Sequence, residues 1–161
     1  MSSIKEFLFA MKIPLYLKVI LASMIPFVEA RYAILFFTNS SIPFHILFVL
    51  SVFGNMIPVP FIILLFRPLL NLMKKNRLLK PLADKMENKA LLKAVKIKKY
   101  EAMGLFLFVA LPIPGTGAIS GALGAAMLNL RMKYALPAIL AGTVIATLIT
   151  SGALRLILTI I

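Results

Sequence analysis

The sequence predicts an all-α integral membrane protein. Two broken, re-entrant helical hairpins and two full transmembrane helices form a pseudo-inverted repeat, and a cytoplasmic amphipathic helix links the halves. Hydrophobic residues make up 61% of the 161 residues, with a mean hydropathy of +1.01, whereas soluble domains are roughly 45–50% apolar. Of the 18 Lys and Arg residues, 11 lie between Arg67 and Lys99. This basic segment separates two halves, each with one interrupted and one uninterrupted apolar block.

The apolar blocks occupy residues 13–37, 42–66, 102–129 and 134–160. A helix needs about 20 apolar residues to cross a hydrocarbon core of about 30 Å, so the second and fourth blocks predict complete spans. The first block is broken near its middle by Pro26, and the third by Pro112 and Pro114. Proline removes a backbone donor and clashes with the preceding turn. We therefore expect two half-helices of about 10 to 12 residues, about 15–18 Å long, in each broken block.

The remaining segments flank these blocks within one transmembrane domain. Residues 1–12 predict a helix lying flat at the interface, which makes 1–66 the first half. From Pro81 onward, apolar residues recur at near-helical spacing opposite lysines, which predicts an amphipathic surface helix within the linker 67–101. The positive-inside rule places this short basic loop in the cytoplasm, and residues 102–161 form the second half.

The two halves resemble each other faintly in sequence. The segment "IPFVEAR" at 25–31 can be laid on "LPIPGTG" at 111–117, with proline in second place in both. The segments "GNMIPVPFI" at 54–62 and "GTVIATLI" at 142–149 begin 28 and 30 residues after those prolines. Two copies of a broken helix and a full span, separated by one cytoplasmic loop, are typical of an inverted-repeat transporter.

Composition argues against several other functions. The basic residues lie between apolar spans rather than along a soluble surface, which disfavours nucleic-acid binding. The sequence has no cysteine and one histidine, His45, so it cannot supply thiolate chemistry or a Cys/His metal site. It also lacks a phosphate-binding loop and a Ser/His/Asp set. We therefore predict no enzymatic activity, no cofactor and no metal.

Glu29 is the only acidic residue within the predicted apolar blocks. A charge near the membrane midplane costs about 2.5–3.5 kcal/mol, so we predict that Glu29 is a proton-coupling residue, with a static pair to Arg31 as the alternative. Side chains at i and i+2 point about 200° apart on a helix, but in the same direction in extended backbone. The spacing therefore favours a non-helical backbone here, with both side chains facing one cavity.

The break in the third block offers complementary chemistry. If a helix begins near residues 115–117, its free N–H groups and positive dipole end point at the other break, with Thr116 as N-cap or hydroxyl donor. Such an end binds anions, including phosphate. Asn55 either lines the same cavity or satisfies a carbonyl freed by the nearby prolines. The predicted substrate-binding residues are Arg31, Asn55, Gly115, Thr116 and Gly117.

These residues carry a resemblance to the small multidrug export family of prokaryotic membrane proteins, itself similar to the DedA (SNARE-associated, VTT-domain) superfamily. The resemblance covers residues 18–154 and rests on "PFVEARYAI", similar to the family's Glu-x-Arg-Gly-Ala-Ile-Pro, on "VFGNMIPVPFIILL" and on "EAMGLFLFVALPIPGTGAISGALGAAMLNL". Tyr32 and Leu35 stand where the family has glycine and proline. The first hairpin is therefore expected to be less sharply broken after Arg31.

The resemblance implies two hairpins that enter from opposite sides and meet near the midplane, with Glu29 and Arg31 at one tip and residues 112–117 at the other. It also implies proton-dependent movement of lipids or lipid-linked phosphates. We therefore predict a small secondary transporter or lipid translocase for an anionic amphipathic substrate in the plasma membrane of a prokaryote. The alternatives are a proton-coupled exporter of lipophilic cations and a non-transporting membrane scaffold. A homodimer is compatible with so small a transporter, and the lipid bilayer is the other expected partner.

The charges are compatible with two topologies. Two re-entrant hairpins put both termini outside and the ends of the second hairpin inside, in agreement with Arg131 and Lys133. Lys5, Lys12 and Lys18 instead favour an inside N-terminus, which requires the first block to cross the membrane as a broken helix. We favour re-entrant hairpins because the inverted symmetry and the resemblance both predict them.

Overall fold

The computed structural model describes residues 13–26, 28–75, 81, 84, 101–113 and 115–160, and this part of the chain is helical without strands. Its helices are α1 (Leu15–Met24), α2 (Glu29–Phe37), α3 (Phe44–Met56), α4 (Pro58–Lys75), α5 (Glu101–Ala110), α6 (Ala118–Met127) and α7 (Met132–Ile160). The interfacial helix predicted at 1–12 and most of the amphipathic helix predicted from Pro81 lie outside the described residues.

Each interrupted block forms two short helices, which confirms the prediction of half-helices. The first block gives α1 and α2, of 10 and 9 residues, and the third gives α5 and α6, of 10 residues each. Helices of this length are about 14–15 Å long, half the thickness of a hydrocarbon core. Ile25 has extended backbone (φ −70°, ψ 126°), because a residue before proline is disfavoured in the helical conformation.

Two helical segments are long and apolar enough to cross a membrane. They are Phe44–Phe66 and Met132–Gly152, with 23 and 21 residues and mean hydropathies of 2.3 and 1.7. At 1.5 Å per residue they are about 32–35 Å long, so by length and composition they confirm the two predicted spans. The first consists of α3 and the beginning of α4, which meet at Ile57 just before Pro58. The second is the larger part of α7 and contains Pro137 within the helix.

The outer surfaces of these helices are apolar. Large exposed hydrophobic side chains occur on several helices, among them Val49, Phe53, Leu64, Met103, Leu107 and Leu148. A soluble monomer rarely exposes apolar surface of this extent, whereas lipid tails are a favourable environment for it. The exposed surface therefore agrees with the composition in indicating a membrane protein.

Inside, the described helices pack around two apolar cores. One core is formed by α1, α2 and α3, with Val19, Ile34 and Phe37 among its residues. The other is formed by α4, α5, α6 and the beginning of α7, with Val109 and Ile139 among its residues. Because α2 and α3 also pack against α7, the halves of the sequence are interleaved rather than separate.

Two glycines allow a span to approach the backbone of a half-helix closely. A Cβ atom on Gly54 of α3 would lie 2.6 Å from the carbonyl oxygen of Ile20 in α1. A Cβ atom on Gly142 of α7 would lie 2.9 Å from the carbonyl oxygen of Phe106 in α5. Small residues at helix interfaces let backbones approach in this way. Each span is therefore held tightly against the first half-helix of its own half.

Candidate functional site

The two chain breaks meet at the side chain of Arg31. Its Nη2 atom donates a hydrogen bond of 2.9 Å to Oε2 of Glu29, and its Nη1 atom donates one of 3.2 Å to the carbonyl oxygen of Leu111. Leu111 follows α5 and precedes Pro112. The guanidinium therefore links the first residues of α2 to the break between α5 and α6.

The charges of Arg31 and Glu29 are removed from the surface of the protein. The two side chains are 8% and 10% exposed, respectively, and they form an ion pair. Taking two charges out of contact with solvent carries a large desolvation penalty, which their attraction and additional hydrogen bonds must offset. Here Arg31 donates a second hydrogen bond, to a carbonyl oxygen, which helps to offset the desolvation of its guanidinium.

The backbone at Glu29 explains how residues at i and i+2 can pair. Glu29 is the first residue of α2 but has a positive φ of 49°, a conformation that is uncommon for a residue other than glycine. Because of this left-handed φ, the Glu29 side chain points in a different direction from that of a residue in a regular helix. The predicted non-helical backbone is therefore wrong for Arg31, which is helical, and within α2 the positive φ occurs at Glu29 alone.

The break precedes Glu29 rather than following Arg31. Helix α2 continues without interruption to Phe37 and includes Tyr32 and Leu35, the two residues that differ from the family pattern. Both are accommodated in regular helix, because neither has the conformational freedom of glycine or the missing donor of proline. The expectation of a less sharp break after Arg31 is confirmed.

The Glu29 carboxylate lies against Gly117 at the beginning of α6. A Cβ atom on Gly117 would overlap both carboxylate oxygens of Glu29. Gly117 is the N-cap of α6 and no side chain caps this end by a hydrogen bond. The N–H groups and the positive dipole end of a helix stabilise an anion at this position. The carboxylate of Glu29 therefore lies at the N-terminal end of α6.

Gly115 and Thr116 lie in the loop that precedes α6. The helix begins at Ala118 with Gly117 as N-cap, close to the predicted start, so of the two roles predicted for Thr116, N-cap or hydroxyl donor, the N-cap is wrong. The Thr116 hydroxyl instead shares its one hydrogen between the carbonyl oxygens of Leu111 and Ile113, at 2.7 and 2.8 Å, because the chain turns back on itself in this loop. Gly115 has a φ of 87° and is exposed, so it provides the left-handed backbone conformation of this turn.

Asn55 is buried on α3, and its Oδ1 atom has no hydrogen-bond partner among the described residues. The same holds for the hydroxyl oxygens of Ser51, Thr143 and Thr147, which sequence reasoning missed. The sequence contains a pattern that indicates them, because Ser51 and Asn55 are four residues apart within one predicted span, and Thr143 and Thr147 are four residues apart within the other. Polar side chains at helical spacing within a span predict one polar face.

An open apolar groove of about 410 Å³ lies close to the first break. It is bounded by the end of α1, by Ile57 and the first part of α4, and by α6. Its lining residues include Met24, Ile57, Pro58, Phe61, Leu65 and Leu123.

Within the described residues, no group of three Asp, Glu or His side chains could hold a metal ion.

The comparisons with known proteins agree with a membrane transport function. A family model described as "Putative small multi-drug export protein" matches residues 29–149, a segment that begins at Glu29 and includes Arg31 and Gly117. No curated protein and no solved structure matches the chain. Because the family match covers most of the sequence, from the first charged residue of the site into the last span, the chain belongs to the small multi-drug export protein family.

Proposed function

We propose that the protein is a small proton-coupled secondary transporter or lipid translocase, in which Glu29, Arg31 and the first residues of α6 form one site. The observation that carries this proposal is the double contact of Arg31, with the Glu29 carboxylate and with the Leu111 carbonyl. It joins the two chain breaks at a buried charged site, and ionisable residues inside a membrane domain are typically functional.

An inverted repeat of two re-entrant hairpins is the architecture that we propose for the site. Glu29 and Gly115 occupy equivalent places when "IPFVEAR" is laid on "LPIPGTG", and both have a positive φ, 49° and 87°. Few positions in a helical protein adopt this conformation. Its occurrence at matched positions supports a common origin of the two breaks.

The helix contacts support the same repeat. Gly54 contacts Ile20, and Gly142 contacts Phe106, through equivalent approaches of a span to the carbonyl oxygen of a half-helix. Ile20 and Phe106 each lie six residues before the proline of their own break. Repeats of this kind place the substrate site between the halves, near the midplane of the bilayer.

In the proposed cycle, Glu29 controls access to the anion site. Ionised Glu29 bonds to Arg31 and lies at the beginning of α6. A proton on Glu29 removes its negative charge and therefore the ion pair with Arg31, so that Arg31 and the N–H groups of α6 can hold an anionic head group instead. Binding and a change between two arrangements of the halves complete the cycle without covalent chemistry.

No other described carboxylate competes with Glu29 for this proton. The described ionisable side chains on the helices packed against α2 are Tyr16, Lys18, His45, Lys133 and Tyr134. None of these five described side chains is a carboxylate, and Glu29 on α2 is the acidic side chain that bonds to Arg31. We therefore assign proton coupling to Glu29.

The apolar groove supports an amphipathic substrate. It begins at Met24, close to the first break, so a substrate whose head group is held by Arg31 can extend an apolar tail into it. We propose the plasma membrane of a prokaryote as the location, with residues 67–101 on the cytoplasmic side.

The second candidate function is a proton-coupled exporter of lipophilic cations, which the family description favours. In that case Glu29 binds the proton and the cation in turn. The groove would then hold the apolar part of the drug.

Transport by purified protein in vesicles tests the proposal. We expect uptake of a fluorescent anionic lipid analogue to depend on a proton gradient in the wild type and to lose that dependence in Glu29→Gln. A Lys133→Gln variant is the matched control, because Lys133 lies over the Tyr134 ring and not at the site. Gradient-dependent uptake by Glu29→Gln equal to that of the wild type would contradict the proposal. Uptake of tetraphenylphosphonium instead of the anionic lipid would favour the second candidate.

A further inference from the structure

Four buried oxygen atoms on the two candidate spans lack a hydrogen-bond partner among the described residues. They belong to Ser51 and Asn55 of α3 and to Thr143 and Thr147 of α7. All four residues are at most 3% exposed. An unpaired buried polar group is destabilising, so four of them on two helices require a physical explanation.

Other buried or half-buried hydroxyls in the protein are satisfied by their own helices. Ser23, Thr38 and Thr150 donate to the carbonyl oxygen four residues earlier, at 2.8, 2.8 and 2.9 Å. Ser and Thr commonly bond in this way within helices. The hydroxyls of Ser51, Thr143 and Thr147 do not, so their unpaired state is particular to this part of the molecule.

On α3, the unpaired oxygens lie on the face that is turned away from the outer surface. Ser51 and Asn55 are one helical turn apart, and the exposed Val49 and Phe53 lie about 160–200° around the helix from Ser51. Both polar residues therefore belong to the interior face of this span.

On α7, the arrangement is the same. Thr143 and Thr147 are one turn apart, and the exposed Ile145 and Ile149 lie about 160–200° around the helix from Thr147. The two spans pack directly against each other. Asn55 and Thr143 each follow the glycine that contacts a half-helix of its own half, Gly54 and Gly142, so they occupy equivalent positions on the two spans.

We propose that Ser51, Asn55, Thr143 and Thr147 form one binding site for a dehydrated monovalent cation, of which Na⁺ is the example. An amide Oδ1 atom is only an acceptor, so an unpaired one favours a positively charged ligand over an anion. Hard cations bind oxygen ligands, and sites for Ca²⁺ and Mg²⁺ use carboxylates. The four ligands here are neutral, which selects a monovalent ion.

The location fits this ligand. The four residues lie near the middle of Phe44–Phe66 and of Met132–Gly152, at the depth where transporters bind coupling ions. The site consists of residues other than Glu29 and Arg31. It therefore does not depend on the function proposed for that ion pair.

Thermal unfolding of the purified protein in detergent tests the site. We expect the Tm to be about 5 °C higher in NaCl than in choline chloride of equal ionic strength, because a ligand that binds the folded state stabilises it. The Na⁺ concentration needed for half of this effect should rise at least about tenfold in Thr147→Val, which removes the oxygen, and remain unchanged in Thr147→Ser, which keeps it. The control is Thr150→Val on the same helix, whose hydroxyl is already bonded.

Two further measurements keep the test decisive if a variant folds poorly. Binding of ²²Na⁺ to the wild type should be saturable and should be lost in Asn55→Leu and in Thr143→Val. If the four oxygens share one ion, the effects of Asn55→Leu and Thr143→Val on Na⁺ affinity should be non-additive. Equal Tm values in NaCl and choline chloride, without saturable ²²Na⁺ binding, would mean that the oxygens hold water only and would overturn the proposal.

Discussion

The carboxylate of Glu29 occupies the space that a side chain at Gly117 would need. Gly117 has an ordinary extended backbone (φ −93°, ψ −164°), so a residue with a Cβ could adopt its conformation. What requires glycine is the contact with Glu29. The two chain breaks are thus complementary, since one supplies a carboxylate and the other supplies a helix N-terminus without a side chain.

Gly117→Ala should displace the Glu29 carboxylate from α6. The added methyl group overlaps the end of a flexible side chain, so we expect the protein to fold. If the proposed function holds, proton-dependent transport should fall about tenfold or more, as one charge-assisted contact is lost. Transport in vesicles measures this effect. Gly124→Ala, in the same helix and with open space around the added Cβ, is the control and should transport normally. Normal transport by Gly117→Ala would contradict the assigned role of this contact.

Arg31→Gln should be more destabilising than the double variant Glu29→Gln/Arg31→Gln. Removing one member of a buried ion pair leaves an uncompensated charge, at a cost of about 3–5 kcal/mol, whereas replacing both members can be nearly neutral. The free energy of unfolding in mixed micelles measures the difference. Additive effects of the two single substitutions would show that the ion pair at 2.9 Å is not coupled energetically.

Gly142→Ala and Gly54→Ala should each lower the free energy of unfolding by about 1–3 kcal/mol, which is typical of overpacking. In each case the new methyl group meets the backbone of a half-helix at 2.9 Å or less, and backbone cannot move aside as a side chain can. Gly124→Ala should instead raise stability by about 0.5–1 kcal/mol, because alanine is favoured over glycine within a helix. Unfolding in mixed micelles distinguishes these signs, and a stabilising Gly142→Ala would contradict the close packing of α5 on α7.

Thr116→Val should destabilise the loop between α5 and α6 by about 1 kcal/mol, because its hydroxyl bonds to two carbonyl oxygens of that loop. Thr116→Ser keeps the hydroxyl and should behave as wild type. Hydrogen exchange of residues 111–117 and the free energy of unfolding measure the effect. If Thr116→Ser is as unstable as Thr116→Val, the methyl group rather than the hydroxyl is important.

Apolar block length and proline position determined much of the fold. The sequence alone predicted two spans and four half-helices from these two features. Pro26 and Pro112 lie where α1 and α5 have ended, because proline lacks a backbone donor and clashes with the preceding turn, although α7 accommodates Pro137 within the helix. The sequence also indicated Glu29 and Arg31 as a site, since charges are costly in an apolar block.

Only the tertiary structure decided how these parts meet. Pairing of Glu29 with Arg31 depends on a left-handed φ at Glu29, which local preferences disfavour and which persists only where surrounding contacts impose it. The contacts of Arg31 with Leu111 and of Glu29 with Gly117 join residues more than 75 positions apart. The sequence pattern identifies the charged side chains whose burial costs free energy. Three-dimensional packing determines which partner offsets that cost for each of them.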